Sequence, residues 1–346
     1  MLRTFLPVLS SVLLAASAQA AEYWIADGDE VFGGVEVIEA RHEDTFVALA
    51  RRYNVGYEEL RQANPGVDEW LPGEGTKIRV PTLYVLPRAP RSGIVINVAE
   101  LRMYYFPVDS GPPPEGVAQG LRRVITHPIS IGRMDWRTPL GVTTITGKVA
   151  NPSWYPPQSI RDEHAARDDT LPRVVPPGPD NPLGKHALRL ALSGYLIHGT
   201  NKPSGVGMRV THGCIRMFPE DIEALFKTVP VGTSVNIVNQ PVKIGWTADG
   251  RLFLESHPAV KESNVDGETV VATALEAEPE SPLTSLMRAY IAATDERRVE
   301  LDWDTAERVA QAGSGIPEAI SVARAEPVAA EIAAVDTSAA GADPGN

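Results

Sequence analysis

Between residues 93 and 239 the chain repeats short apolar runs that are bounded by glycine, proline or asparagine. Many short strands with few helical patterns between them are typical of a β-sandwich or barrel. One helix is predicted there, from Pro219 to Lys227, because proline suits the first helical position and Glu220 suits the positive end of the helix dipole. The predicted strands are 94–98, 102–106, 123–125, 142–145, 195–198 and 234–238. The pattern therefore predicts a mainly β domain over residues 92–240.

A different pattern occupies residues 34–81. Phe46, Leu49 and Ala50 share one side of a predicted helix over 44–52, at the spacing of an amphipathic helix. The other predicted elements are a strand at 35–38, a short helix at 57–62 and a strand at 77–80. The sequence thus predicts a small α+β module in the order strand, helix, helix, strand.

The first 20 residues have the pattern of an export signal. Arg3 provides a positive start, residues 5–16 a short apolar stretch, and the Ala-Gln-Ala sequence at 18–20 a cleavage site. The apolar stretch is too short to span a bilayer. An uncleaved N-terminal anchor is the alternative, disfavoured because polar sequence begins at Glu22. We expect a cleaved signal peptide over residues 1–20 and no transmembrane segment after it.

The net charge of the chain is −12, and almost all of it lies at the C-terminal end. Residues 261–346 contain 6 Lys or Arg against 17 Asp or Glu. This acidic, low-complexity extension has short helices predicted at 285–293 and 304–311, and predicted disorder from residue 323 onward. Its acidity would keep it solvated, or it would bind a partner. No basic stripe occurs elsewhere, so no nucleic-acid partner is indicated.

Cys214 is the only cysteine of the chain, so it cannot form an internal disulfide. A free thiol in an exported protein is at risk of oxidation, which indicates that the thiol has a use. Cysteine attacks as the thiolate, and with an unperturbed pKa of about 8.5 it needs a base at neutral pH. His198, followed by Gly199, ends an apolar strand, and His212 precedes Cys214 by two residues. Either histidine could be the base, and a zinc site of all three side chains is a further alternative without a matching ligand spacing.

A proline-rich stretch runs from residue 151 to residue 183 and contains Trp154, Tyr155 and His164. Regular structure is not expected through most of it. Long irregular segments inside a compact domain are usually functional or disordered. We interpret the stretch as a lid or wall over an active cleft, with an inert surface loop as the alternative.

The centre of the chain contains three short motifs: Ile-His-Gly-Thr-Asn at 197–201, Gly-Val-Gly at 205–207 and Val-Thr-His-Gly-Cys-Ile-Arg-Met at 210–217. Together they resemble the signature of the YkuD family of L,D-transpeptidases, in which a histidine precedes a Ser/Thr-His-Gly-Cys element. Further matches to the enterobacterial branch with an N-terminal LysM module extend the resemblance over residues 34–257. The resemblance implies a β-rich YkuD-type catalytic domain over 92–240.

Residues 34–81 also resemble the LysM module, which binds glycan chains that contain N-acetylglucosamine. The matching positions are 44–45, 49–55, Leu60, Asn-Pro at 64–65 and Leu-Pro-Gly at 71–73. The resemblance implies that this module binds the glycan strands of peptidoglycan. Because these landmarks mostly build core and turns, a spacer that binds nothing is the alternative.

The family resemblance implies a role for the cysteine and for one histidine. Cys214 would attack the bond between meso-diaminopimelate and the terminal D-Ala of a tetrapeptide stem, releasing D-Ala and leaving a thioester. His198 would be the general base, oriented by the main-chain carbonyl of Gly199, and would later deprotonate the acceptor amine. No cofactor and no metal are implied.

Residues around the cysteine are implied as support for the site. Thr211, His212 and Arg216 would shape it, and the amides of Gly213 and Cys214 would donate hydrogen bonds to the oxyanion. The implied partners are stem peptides in the site and glycan strands at the LysM module.

The resemblance implies a periplasmic, cell-wall-associated enzyme that needs no ATP, because the thioester conserves the energy of the broken peptide bond. The acceptor stays open between the diaminopimelate of another stem, the lysine of an outer-membrane lipoprotein, and water. With water, the protein would be an L,D-carboxypeptidase or hydrolase. A catalytically degenerate peptidoglycan-binding protein is the remaining alternative, disfavoured by the intact Cys214, His198 and Gly213.

Overall fold

The computed structural model describes residues 21–109, 111–133, 136–258, 281–295, 297–322 and 326–327. The described residues also include a 3-10 helix at Pro203–Gly205. The strands are β1 (Ala21–Ile25), β2 (Val31–Glu39), β3 (Lys77–Val85), β4 (Gly93–Asn97), β5 (Arg102–Phe106), β6 (Arg122–Pro128), β7 (Ile131–Gly132), β8 (Gly141–Ala150), β9 (His186–Leu190), β10 (Leu196–His198), β11 (Arg209–Thr211), β12 (Ile215–Arg216), β13 (Ser234–Val238), β14 (Val242–Trp246), β15 (Leu252–Ser256), β16 (Arg297–Arg298), β17 (Glu318–Ala319) and β18 (Glu326–Pro327). The α-helices are α1 (Phe46–Arg52), α2 (Tyr57–Ala63), α3 (Gln158–Ala165), α4 (Pro219–Thr228), α5 (Pro282–Ala293) and α6 (Trp303–Ala312).

The largest sheet contains nine strands in the order β1, β6, β5, β4, β13, β8, β9, β10, β12. Its neighbouring strands are antiparallel, except that β4 with β13 and β10 with β12 are parallel. Ile96, Met103, Leu188 and Ile215 of this sheet share one buried core with Leu225 of α4. The prediction of a mainly β domain is confirmed, because short strands dominate this part of the chain.

Two strands that the apolar pattern did not predict, β9 and β12, flank β10 in this sheet. The sequence of β9 is His-Ala-Leu-Arg-Leu, which has no β-branched or aromatic residue to favour a strand. β12 has only two residues. Both become strands because they pair with β10, which is a contact between distant parts of the chain.

The pairing of β10 determines where two segments of the central motif meet. β10 runs parallel to β12, so that Ile197 lies opposite Ile215 and His198 lies opposite Arg216. A parallel pair requires a crossover connection, which here consists of residues 199–214. The two segments therefore lie side by side at one edge of the large sheet.

β2, α1, α2 and β3 form a small unit, called the N-terminal module below, with its own core that includes Phe46, Leu60 and Ile78. The order strand, helix, helix, strand is the one that the apolar pattern predicts. β2 and β3 pair in antiparallel fashion along their full lengths. Thr45 caps α1 by accepting a 3.2 Å hydrogen bond from the amide of Ala48.

β14, β15 and β17 form a three-stranded sheet, and α5 and α6 pack against it. Trp246, Leu286 and Val309 share its buried core. The helices lie where short helices were predicted, but the described part of the acidic extension is a packed unit, because its helices complete a core that β14 and β15 begin. β18, inside the stretch predicted to be disordered, pairs with β16. The rest of that stretch lies outside the described residues.

A buried ionic cluster joins this C-terminal unit to the large sheet. Lys243 Nζ lies 2.5 Å from a carboxylate oxygen of Glu100 and 2.9 Å from one of Glu255, and it donates to the carbonyl of Val85 at 2.7 Å. Within the described residues, Glu100, Glu255 and His257 are spaced closely enough to hold a metal ion. The Lys243 ammonium forms an ion pair with each of the two carboxylates, so the cluster already contains a cation.

The chain that follows the predicted signal peptide is part of the fold. β1 begins at Ala21, directly after the predicted cleavage site, and pairs with β6 at the edge of the large sheet. Residues 1–20 themselves lie outside the described residues. Among the residues that are described, no helix has the length and apolar character needed to cross a membrane.

Candidate active site

Cys214 lies in the turn between β11 and β12 and is partly buried. Thr211 Oγ1 donates a 2.6 Å hydrogen bond to the carbonyl oxygen of Cys214 and so closes this turn. His198 and Arg216 are register partners of β10 and β12, and Cys214 directly precedes β12. The charge of Arg216 acts on both Cys214 and His198, so the predicted nucleophile and one predicted base lie near the same guanidinium.

Gly213 has a backbone conformation that only glycine adopts easily. Its φ is +98°, and a Cβ there would lie 2.9 Å from the ring of Tyr195. Thr138 Oγ1 donates a 2.8 Å hydrogen bond to the carbonyl oxygen of Gly213. This carbonyl and the N–H of Cys214 belong to one peptide plane, so Thr138 also fixes the direction of that N–H.

His198 is buried at the end of β10, and its Nδ1 lies 2.6 Å from the carbonyl oxygen of Gly199. A carbonyl oxygen only accepts hydrogen bonds, so Nδ1 carries the proton and the lone pair of Nε2 can accept one. Burial, with the positive charge of Arg216 as a smaller cause, lowers the pKa of His198 from 6.5 to about 3. The imidazole is therefore neutral at physiological pH.

The thiol of Cys214 is neutral for the same physical reason. Burial raises its pKa, while a hydrogen bond with the backbone amide of Leu196 and the charge of Arg216 act in the opposite direction. Sγ also lies 3.6 Å from the carbonyl oxygen of Gly194. Thiol and imidazole both start without charge, so a thiolate forms only by proton transfer to a base.

His212, the other predicted base, is engaged elsewhere. Its Nε2 lies 3.0 Å from a carboxylate oxygen of Glu163, and its ring meets Trp136 edge-on at 5.0 Å between centroids. Burial lowers its pKa, and Glu163 opposes that change. Because Glu163 holds Nε2 as a donor, the arrangement favours His198 as the base and His212 as a support of the site.

The YkuD family model, an L,D-transpeptidase catalytic domain, matches residues 91–237. The chain is 42% identical over 265 residues to "Probable L,D-transpeptidase YcfS" of Escherichia coli (strain K12), which covers 75% of this chain and 79% of that protein. It is 39% identical over 274 residues to "Probable L,D-transpeptidase ErfK/SrfK" of the same strain, with 79% and 81% covered. The chain belongs to the YkuD family of L,D-transpeptidases. The protein is therefore an enzyme of this class.

Solved structures of L,D-transpeptidases are similar to part of the chain. The NMR structure of the catalytic domain from the E. faecium L,D-transpeptidase covers 44% of this chain and 99% of that domain, at 20% identity and a TM-score of 0.30. An X-ray structure of an L,D-transpeptidase from Mycobacterium tuberculosis H37Rv covers 48% of this chain and 63% of its own, at 20% identity and a TM-score of 0.29. The family assignment rests on the sequence relatives.

In this L,D-transpeptidase, Arg216 supplies a positive charge beside the thiol. Its backbone exchanges hydrogen bonds of 2.8 and 2.9 Å with Ser130. Burial lowers the pKa of Arg216, and its Nε has no hydrogen-bond partner among the described residues. The positive charge of Arg216 lowers the pKa of both Cys214 and His198, so it stabilises the thiolate and opposes protonation of the imidazole.

The proline-rich stretch contributes a site residue that the sequence interpretation missed. Most of the stretch is irregular, as expected, but residues 158–165 form α3, and Trp154 pairs with Val175 in an isolated bridge. Glu163 of α3 contacts Arg133 at 2.5 Å, Arg167 at 2.8 Å and His212. Hydrogen bonding with Arg133, the largest cause, lowers the pKa of Glu163 to about 2.

The local sequence held one signal for this helix. Gln158 with Asp162, and Glu163 with Arg167, are polar pairs at the i, i+4 spacing that stabilises a helix. The contact between Glu163 and His212 spans 49 residues of sequence. No local pattern indicates such a contact.

Proposed function

We propose that this L,D-transpeptidase acts on the tetrapeptide stems of peptidoglycan with Cys214 as nucleophile and His198 as general base. The sulfur attacks the carbonyl carbon of the bond between meso-diaminopimelate and D-Ala while His198 takes the thiol proton. That proton passes to the leaving amino group, so D-Ala departs and a thioester remains. His198 then removes a proton from an acceptor amine, the amine displaces Cys214, and the sulfur recovers its proton.

The observation that carries this proposal is the state of His198 beside the partly buried thiol. The Gly199 carbonyl keeps the proton on Nδ1, and burial keeps the ring neutral. A neutral ring with a free Nε2 lone pair is the form that a general base needs. The raised pKa of Cys214 makes that base necessary.

The turn at Gly213 supports the proposed oxyanion site. The amides of Gly213 and Cys214 would donate to the oxygen that becomes negative during attack. Thr138 holds the carbonyl of Gly213, and Thr211 holds the carbonyl of Cys214. The first of these contacts orients the peptide plane that carries the N–H of Cys214 before the substrate binds, and the second closes the turn.

The N-terminal module is proposed to bind the glycan strands of the same polymer, as a LysM module. Trp70 and Leu71, between α2 and β3, are 61% and 67% exposed. An exposed indole suits stacking against a sugar ring. We further propose that residues 1–20 are removed and that the protein then acts in the periplasm, where its substrate is located.

The release of D-Ala from a purified tetrapeptide muropeptide tests the catalytic proposal. Wild type should release D-Ala, and Cys214→Ala should not. A matched Ser204→Ala variant, in the 3-10 helix, should behave as wild type. Absence of release by wild type, or equal release by Cys214→Ala, would contradict the proposal. Mass spectrometry after exposure to a carbapenem, which the family resemblance predicts to acylate Cys214, separates an active enzyme from a degenerate binding protein.

The acceptor is assigned by a competition between amines. Purified enzyme is given tetrapeptide stems together with a lipoprotein-derived peptide that ends in lysine, and the products are identified by mass spectrometry. A stem dimer indicates diaminopimelate as acceptor, and a stem–peptide conjugate indicates lysine. A free tripeptide as the sole product would identify an L,D-carboxypeptidase.

A further inference from the structure

The N-terminal module is docked on the catalytic domain through its first helix. Arg51 forms a two-point ion pair with Glu220 of α4, with N–O distances of 2.8 and 2.9 Å. Asn54 donates to both carboxylate oxygens of Asp221 at 3.0 and 3.1 Å, and both side chains are buried. The module is therefore not a freely tethered domain.

A second, fully buried ion pair secures α2. Glu59 accepts two hydrogen bonds of 2.6 Å from Arg102 of β5, and the guanidinium of Arg102 also lies over the ring of Tyr84. Arg102 further donates to Thr126 of β6 at 3.1 Å. A buried charge pair of this kind fixes one relative position, because any shift leaves a charge unpaired in a low-dielectric interior.

The backbone of the module meets the backbone of the active-site crossover. The amide of Glu58 donates a 3.2 Å hydrogen bond to the carbonyl of Gly207. Gly207 has a φ of +84°, and a Cβ there would overlap the backbone of Gly56 and Tyr57. The module and the crossover therefore approach closely at Gly56 and Gly207, where there is no room for a side chain.

The same crossover supports Arg216. Ser130 Oγ donates a 2.7 Å hydrogen bond to the carbonyl of Gly205, and Ser130 also pairs with Arg216 through the backbone. A Cβ at Gly205 would lie 3.5 Å from Nη1 of Arg216, so the guanidinium packs beneath this segment. The position of residues 205–207 therefore affects the charge that faces Cys214.

A second connection runs through α4. Asp221, which Asn54 holds, is followed by Ile222, and a Cβ at Gly199 would lie 3.0 Å from a methyl group of Ile222. The carbonyl of Gly199 orients His198. The docked module thus contacts both elements that set the geometry of the nucleophile and the base.

We propose that the N-terminal module positions the catalytic groups, in addition to any glycan that it binds, and that Asn54, Gly56 and Glu59 are positioning residues of the transpeptidation site. This inference rests on the proposed function, because its effect is measured as a rate of transpeptidation. The docked module should affect that rate even on a substrate that lacks a glycan.

A free tetrapeptide stem is the substrate that separates positioning from glycan binding, because it offers no sugar to the module. Gly207→Ala should push the crossover away from the module and lower kcat roughly 10- to 100-fold, with KM little changed. Gly232→Ala is the matched control, since Gly232 has a φ of +91° with nothing within 4 Å of its Cβ position. It should keep the wild-type kcat, and circular dichroism should show both variants folded. A folded Gly207→Ala enzyme with wild-type kcat would overturn the inference.

A charge reversal on the surface provides a second test that does not strain the backbone. Arg51→Glu should lower kcat on the free stem, and adding Glu220→Arg should restore part of it. Equal kcat for wild type, single and double variants would overturn the inference. The rate of Cys214 alkylation by iodoacetamide should change in parallel. If wild type releases no D-Ala, the proposed function fails, and the alkylation rates alone decide whether the module positions the thiol.

Discussion

At the scale of single residues, the site depends on where protons are held. Burial is the largest cause of the lowered pKa of His198 and of the raised pKa of Cys214, because a low-dielectric interior disfavours charge. The sequence left His198 and His212 as competing bases. The partners of their ring nitrogens distinguish them: a carbonyl keeps His198 in one neutral tautomer, and Glu163 occupies Nε2 of His212.

We expect His198 to stay neutral, with its proton on Nδ1, between about pH 5 and pH 8. Its folded pKa is about 3 and its ordinary value is 6.5, so the unfolded chain binds the proton first as the pH falls. The stability that His198 contributes is therefore present above pH 6.5 and is lost as the pH falls toward 3. Long-range ¹H–¹⁵N NMR, with His198→Gln to assign the signal, measures the tautomer. A titration midpoint near 6.5 would contradict this prediction.

At the scale of elements, contacts decide the structure of segments whose own pattern is weak. β12 and β9 are strands because they pair with β10, and α3 forms in a stretch rich in proline. α3 is anchored at the site by Glu163, which has two arginines and one histidine around its carboxylate. α3 thus contacts His212 through Glu163.

Removal of this anchor should loosen α3. We expect Glu163→Gln to increase the rate of amide hydrogen exchange across residues 158–165, because a neutral amide replaces the charged partner of Arg133 and His212. Asp162→Asn is the control, since that exposed side chain contacts Gln158 within the helix. Mass spectrometry of peptides from this region measures the rates. Identical exchange in wild type and Glu163→Gln would show that other contacts hold α3.

At the scale of the whole molecule, buried ion pairs join three units into one body. Arg102 connects the N-terminal module to the large sheet, and Lys243 connects the C-terminal unit to the same sheet. Lys243 is surrounded by Glu100, Glu255, the hydroxyl of Tyr104 and the carbonyl of Val85. These contacts make the folding of each unit depend on the others.

Lys243→Met should lower the free energy of unfolding by about 3–5 kcal/mol, because it leaves two buried carboxylates without their cation. Lys227→Met is the control, since Lys227 pairs with Glu223 on the exposed side of α4. That variant should unfold at nearly the wild-type urea concentration. Urea unfolding followed by circular dichroism measures both. A Lys243→Met protein as stable as the control would mean that the cluster relaxes at little cost.

Apolar periodicity by itself determined the β-rich character of residues 92–240, the strand, helix, helix, strand order of residues 34–81 and the helices of the acidic extension. These features are local, since a period of two or of 3.6 is written in adjacent residues. The central motif also indicated Cys214 as a candidate nucleophile and two histidines, His198 and His212, as candidate bases.

Only the tertiary structure decided how these pieces act together. It paired His198 with Arg216, engaged His212 with Glu163 and docked the N-terminal module against α4 and Gly207. It also packed the acidic extension onto β14 and β15. Each of these contacts joins residues far apart in the chain, and a pairing of that kind depends on the whole packed core rather than on any local pattern.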